Sequence, residues 1–186
     1  SYSLSYYIKI HDVITSDSNF ILIGESYYPT YTYQTYSTTS NGITTTHTVQ
    51  IFDGYQYNHA FIAKFHPDGK LLRDESFELT ASYKPMKVKE FLQVKNQPQD
   101  IIKLTYASNN EIVTKVLSID GQVIEKSNSE PIELTYENDD AKRTASNLDY
   151  WYSDYFIAHG SQKIKNKVDV EVDKKRFVFF ISKIKF

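Results

Sequence analysis

Cysteine is absent from this chain of 186 residues, and glycine, methionine and tryptophan are scarce, at six, one and one. Without Cys the protein has no disulfide, no thiolate metal ligand and no cysteine nucleophile. The few Gly residues form no glycine-rich phosphate loop. No stretch approaches the about 18 consecutive apolar residues of a membrane-spanning helix. We therefore expect no membrane span.

Charge is nearly balanced, with 21 Lys and Arg against 23 Asp and Glu and a formal net charge of −2. This balance gives no electrostatic basis for binding nucleic acid or an anionic membrane. Tyr and Phe are abundant instead, at 16 and 11. Aromatic and β-branched residues favour pleated sheets over long helices. At this length we expect a single domain, over residues 1–186, that is nearly all β.

No residue spacing in the chain is typical of a catalytic or metal site. The five His include no His-x-x-x-His pair, and the chain has no Gly-x-Ser-x-Gly nucleophile elbow. Asp169, Glu171 and Asp173 alternate with Val and would share one strand face, where carboxylates could hold Ca²⁺. Because Lys174 and Lys175 follow them, we interpret this stretch as a solvated sheet edge. We therefore predict no enzymatic activity, no cofactor and no metal.

A five-residue phrase occurs three times, at 61–65, 112–116 and 180–184. Each copy reads apolar, apolar, small, Lys, apolar, as in Phe61-Ile62-Ala63-Lys64-Phe65. Asp68-Gly69 follows the first copy and Asp120-Gly121 the second, and Asp-Gly between apolar strands predicts a β-hairpin. A repeat of about 50 residues is typical of a solenoid, a propeller or another array of blades.

The strand patterns around the phrases align into units of four strands, here called A to D, over about 6–80, 86–135 and 146–186. Strand A of the second unit is expected at 88–94, and 137–147 is expected to be a loop. The third unit reaches Phe186 at the end of strand C, so we expect it to lack strand D. An unpaired edge invites association, and 177–186 is therefore expected to be exposed or to pair with a partner strand or a second copy.

Residues 60–72 resemble the repeats of bacterial extracytoplasmic β-propellers. In those repeats a strand ending in Lys and an aromatic residue leads to Pro-Asp-Gly and then Leu-Leu-Trp. This chain has Lys64-Phe65-His66-Pro67-Asp68-Gly69-Lys70-Leu71-Leu72, with Arg73 in place of the Trp. The resemblance implies antiparallel, propeller-like blades in a periplasmic, cell-surface or secreted protein. Because propellers have about four to eight blades, it also implies the C-terminal part of a larger propeller. A β-sandwich is the alternative fold.

An insert at 27–59, between strands B and C of the first unit, is rich in Tyr and Thr. Asn41-Gly42 predicts a hairpin in which both strands continue beyond their sheet as a projecting ribbon. Exposed Tyr side chains suit recognition of a protein or a glycan, whereas Tyr residues paired across the ribbon would only stabilise it. The candidate binding residues are Tyr27, Tyr28, Tyr31, Tyr33, Tyr36, Tyr55 and Tyr57.

Together these features predict a non-catalytic binding or scaffold module of an exported bacterial protein, with a protein or glycan as its partner. The alternative is a set of supporting blades from a propeller hydrolase or lyase whose active site lies outside this chain. The shared family repeat carries no catalytic residues, so the resemblance assigns none to this sequence.

Overall fold

A computed structural model describes residues 5–16, 19–97, 101–118, 123–134, 136–169, 171 and 173–185. All twelve elements in these ranges are strands, and every pair is antiparallel. The expected all-β, antiparallel class is confirmed. In chain order the strands are β1 Tyr7–Ile10, β2 Ile14–Ser16, β3 Asn19–Ser40, β4 Ile43–Phe65, β5 Leu71–Glu78, β6 Gln93–Gln97, β7 Ile101–Ser108, β8 Glu111–Ser118, β9 Val123–Pro131, β10 Asp140–Tyr152, β11 Tyr155–Lys165 and β12 Lys175–Lys185.

The strands form three sheets that follow one another along the chain. The first has the order β1-β3-β4-β5, with β2 also paired to β3; the second is β6-β7-β8-β9 and the third is β10-β11-β12. Each sheet holds one copy of the repeated phrase, on β4, β8 or β12. The hairpin expected at Asp68-Gly69 joins β4 to β5, and Gly69 has a φ of 87°. The expected turn at Asp120-Gly121 lies outside the described residues.

The three copies of the phrase occupy equivalent positions in their ladders. Each repeated Lys lies opposite an aliphatic residue of the preceding strand: Lys64 opposite Ile21, Lys115 opposite Leu104, and Lys183 opposite Ile157. The first residue of each phrase lies opposite a small residue: Phe61 opposite Gly24, Ile112 opposite Ala107, and Phe180 opposite Gly160. The sequence repeat is therefore also a repeat of strand register.

The second sheet is packed between the first and the third. Its first face contributes Ile102, Leu104 and Leu117 to a core cluster with residues of the first sheet, Ile21, Ile23 and Ile62. Its second face contributes Ala107 and Ile112 to a cluster with residues of the third sheet, Leu148, Phe156 and Ala158. Burial of these side chains is the main force that holds the sheets together.

Equivalent faces meet at both junctions between sheets. The second residue of the phrase, Ile62 or Val113, points into the junction between the first and second sheets. The first residue of the phrase, Ile112 or Phe180, points into the junction between the second and third sheets. Successive side chains of a strand alternate between faces. The first and second sheets therefore meet through the faces that carry the second residue of the phrase, and the second and third sheets meet through the opposite faces.

Two strand expectations are corrected by the ladders. The strand expected at 88–94 begins only at Gln93, because the amides of Phe91 and Leu92 donate to the Glu25 side chain rather than to a neighbouring strand. Residues 140–147, expected as a loop, form the first part of β10 and pair with β11.

The acidic stretch expected as a strand face is also corrected. Described residues between 166 and 174 form the connection from β11 to β12, so Asp169, Glu171 and Asp173 do not share a strand face. Asp169 instead accepts hydrogen bonds from the side-chain amides of Asn138, at 3.1 Å, and Asn166, at 2.7 Å. The bond from Asn138 joins the connection to the turn before β10, and the bond from Asn166 lies within the connection.

A buried carboxylate holds the loop 79–92 that joins the first two sheets. Glu25 on β3 is fully buried. Its oxygens accept hydrogen bonds from the amides of Phe91, at 3.0 Å, and Leu92, at 2.9 Å, and contact Nε2 of His11. A buried carboxylate is costly unless its oxygens are bonded in this way. The loop is thereby fixed against the first sheet.

Replacing Glu25 by Gln should destabilise the protein by about 1–3 kcal/mol, because an amide group supplies only one acceptor oxygen to these donors. The measurement is the urea midpoint of unfolding, and Glu78→Gln on the exposed end of β5 is the matched control. Equal midpoints for the two variants would show that the Glu25 contacts do not hold the loop.

Candidate functional site

Strands β3 and β4 extend beyond their sheet as a long two-stranded ribbon. They contain 22 and 23 residues and are paired from Phe20 and Phe65 to the tip at Ser40 and Ile43, with two register shifts. Asn41 and Gly42 have φ angles of 49° and 76°, which suits a two-residue turn with both residues left-handed. The expected projecting hairpin is confirmed.

The seven candidate tyrosines differ in burial along this ribbon. Tyr31, Tyr33 and Tyr36 are exposed in its outer part. Near the base, Tyr27, Tyr28 and Tyr55 are half-buried, and Tyr57 is fully buried. Tyr57 packs its ring on Phe91 at a centroid distance of 5.1 Å. The structure therefore places Tyr57 in the core, where it is not accessible to a partner.

The part of the ribbon from Tyr31 to Phe52, here called the outer ribbon, has two chemically different faces. Cross-strand hydroxyl pairs continue from Tyr31 and Tyr33 toward the tip on one face: Thr35 with Thr48 at 3.1 Å, Ser37 with Thr46 at 3.2 Å, and Thr39 with Thr44 at 3.0 Å. On the opposite face the Tyr36 ring stacks on His47, with centroids 5.2 Å apart, near the exposed side chain of Val49. Side chains are therefore paired across the two strands on both faces of the ribbon.

Aromatic side chains line an open cleft of about 470 Å³ at the base of the ribbon. We call it the aromatic cleft; it is lined by Tyr7, Tyr27, Pro29, Tyr31, Phe52 and Tyr55. Its rings support one another, since Tyr27 lies 5.4 Å from Tyr55 and Phe52 lies 5.0 Å from Tyr55 between centroids. Three of the candidate tyrosines thus meet in one surface. Tyr7 was missed because it lies on β1, outside the insert at 27–59, and Phe52 was missed because the candidates within the insert were restricted to Tyr.

A second concave surface lies on the outer face of the third sheet. This outer groove has a volume of about 600 Å³ and runs along β11 past Ile157 and Ser161, beside Phe179 of β12. Asp149 lies at its side and bonds Nε2 of His159 at 2.8 Å. Sequence spacing gave no signal for this pair, because Asp149 and His159 meet only through the pairing of β10 with β11.

The Asp149 carboxylate is bonded by three neighbouring side chains. Nζ of Lys89 donates to it at 2.5 Å and Nδ2 of Asn147 at 2.9 Å, in addition to the His159 contact. Partial burial opposes ionisation, but the bonds from Lys89 and His159 outweigh it and hold the pKa of Asp149 below its ordinary value. Within the described residues no hydroxyl bonds the His159 ring, so no nucleophile–base pair is formed there.

No family model matches this sequence. Neither a curated protein nor a solved structure matches it. Among the described residues, no group of three or more His, Asp or Glu is placed to hold a metal ion. The described part of the chain also contains no helix with the length and hydropathy of a membrane span.

The structural role of Tyr57 can be tested through the dependence of the protein's stability on pH. Burial raises its pKa from 10.0 to about 12, against a hydrogen bond with the Lys89 backbone that lowers it. The folded protein therefore keeps this proton at pH values where the unfolded chain loses it. The stability that the buried, protonated Tyr57 phenol contributes is fully present below pH 10 and is lost as the pH rises through about 12.

We expect the urea midpoint of the wild type to fall between pH 10 and about 12 more steeply than that of Tyr57→Phe, which has no phenol to titrate. Tyr33→Phe, at a side chain that is 70% exposed, is the control and should keep the wild-type slope. Parallel slopes for wild type and Tyr57→Phe would contradict a buried, protonated Tyr57.

Proposed function

We propose that this chain is a non-catalytic binding module whose recognition surface consists of the aromatic cleft and the outer ribbon. The observation that carries the proposal is the grouping of five aromatic rings around one open cleft. Aromatic faces contact the C–H faces of a sugar, and the Tyr hydroxyls at their rims exchange hydrogen bonds with it. Concave sites of this kind, with few polar groups among apolar ones, are typical of ligand binding.

The charge of the ribbon restricts the kind of partner. From Tyr27 to Phe52 the sequence contains no Asp, Glu, Lys or Arg. An ionic partner would therefore find no opposite charge along this surface, whereas a neutral glycan would find rings and hydroxyl groups. For this reason we favour a neutral glycan over a charged protein surface as the ligand.

The ribbon is suited to binding because its side chains are already ordered. The hydroxyl of Thr35 is bonded to that of Thr48, and the ring of Tyr36 is stacked on His47. Tyr also loses little conformational entropy on binding. A partner would therefore meet a surface that needs little further ordering, and preorganisation of this kind increases affinity.

We further propose an extracytoplasmic bacterial setting, supported by the repeat resemblance at 60–72, and a propeller-like arrangement of the sheets. The equivalent ladder positions of Lys64, Lys115 and Lys183 support that arrangement. The contacts between equivalent faces of neighbouring sheets weigh against a propeller, because blades related by rotation meet through opposite faces. A β-sandwich stays the alternative, and a supporting role in a hydrolase or lyase stays a prediction.

The test is a double substitution, Tyr31→Ser with Tyr33→Ser, measured on an array of neutral glycans and then by calorimetry on any glycan bound. We expect binding to be lost and the free energy of unfolding to change by less than about 1 kcal/mol, as for other surface changes. The matched control is Tyr150→Ser on the third sheet, which is also exposed and lies away from the ribbon.

Two results would contradict the proposal. One is a wild-type protein that binds only charged glycans or none. The other is a double variant that unfolds more easily while its affinity per folded molecule is unchanged, which would assign Tyr31 and Tyr33 to stabilisation of the ribbon.

A further inference from the structure

An apolar ridge lies on the outer face of β12. Phe177, Phe179 and Ile181 point to the same side of this strand and are 65%, 83% and 80% exposed. Contiguous apolar patches of this kind on soluble proteins commonly mark interaction sites. In the part of the chain that the structure describes, β12 pairs with β11 alone and is an edge strand of its sheet.

The outer groove lies directly beside this ridge. Its floor over β10 and β11 includes the small residues Ala145, Gly160 and Ser161, and Tyr83 of the loop 79–92 lines it as well. Ala145, Ser161 and Phe179 stand in one row across the sheet, since Ala145 pairs with Ser161 and Ser161 with Phe179. One face therefore presents a bulky ridge and a recess of small residues side by side.

We propose that the outer face of the third sheet docks a second copy of this chain. A twofold axis parallel to the strands, between β11 and β12, places the ridge of each copy in the outer groove of the other. Phe179 then enters the recess over Ala145 and Ser161. Contacts of a twofold dimer are self-complementary, and a surface that contains both ridge and groove meets this requirement.

Charge supports the same arrangement. Asp149, Ile157 and Lys183 form one row across the sheet, with Asp149 on β10 and Lys183 on β12. The two charged residues are separated by two strand spacings, or about 10 Å. The proposed axis keeps the row and places Lys183 of each copy over Ile157 of the other, one strand spacing, or about 5 Å, to the side of Asp149. The dimer thus contains two symmetric pairs of opposite charge.

The first junction inside the chain shows that this kind of face can pack on itself. There the second residues of two phrases, Ile62 and Val113, point into one junction from opposite sheets. Ile181 is the second residue of the third phrase, and its face is the exposed one. A second copy would cover it with the same face again.

The proposal is tested by sedimentation velocity of the full chain at concentrations from about 1 to 100 μM, within the usual range of specific association. We expect a species of twice the monomer mass of 21.6 kDa. Phe179→Asp places a charge in the recess and should raise the dissociation constant at least about tenfold. Ile43→Asp, at a 71% exposed position at the ribbon tip, is the matched control and should leave the constant unchanged.

Charge reversal tests the orientation of the two copies. Lys183→Asp should weaken the dimer, and addition of Asp149→Lys should restore it to within about threefold of the wild type. Thermal melting of each variant checks that it is folded, because Asp149 also bonds Lys89 and His159. If the double variant is unfolded, Phe179→Asp against Ile43→Asp decides the proposal.

A wild-type protein that stays monomeric at about 100 μM would overturn the proposal. A dimer that persists in Phe179→Asp would overturn it as well. That result would indicate another mode of association, such as backbone pairing along the edge of β12, which does not need the Phe179 ring. Neither result bears on glycan binding, since the aromatic cleft lies on a different sheet.

Discussion

The arrangement of the sheets depends on one buried carboxylate, that of Glu25. Because the side chain is fully buried, its oxygens require partners from within the protein. The amides of Phe91 and Leu92 meet that requirement from a segment that is far away in sequence. Once they are bound, the Phe91 ring lies on Tyr57 and the second sheet begins at Gln93. The polar contact thus determines where the apolar packing starts.

The loop fixed by Glu25 also reaches the third sheet. Lys89 of the loop donates to Asp149 and, directly after the loop, the side-chain amide of Gln93 at the start of β6 donates to the carbonyl of Leu148 at 3.1 Å. The Ser82 hydroxyl accepts a hydrogen bond from the amide of Asn109 at 2.8 Å. A segment without strands of its own therefore contacts all three sheets, through Glu25, Asn109 and Asp149.

The sequence was sufficient for local structure but not for the contacts between distant segments. Asn41-Gly42 and the alternating Thr and Tyr residues predicted the ribbon, and the repeated Lys residues predicted matching strand positions. Tyr57 was misjudged because it shares the two-residue spacing and the strand face of Tyr55, while its ring alone is stacked on Phe91 of the distant loop 79–92. Glu25 gave no signal, because its partners are backbone amides, which every residue carries.

The continuity of β3 and β4 from the core to the tip has a consequence for the length of the ribbon. Its outer side chains are exposed on both faces, so packing does not determine how many residues it has. Deleting two residues from each strand would bring the tip closer to the core and leave every remaining side chain on its face. Deleting one residue from each strand near the base would turn the outer half over, so that the face with the hydroxyl pairs and the face with Val49 exchange sides relative to the sheet. Each face of the ribbon therefore stays on its present side only when each strand changes by an even number of residues.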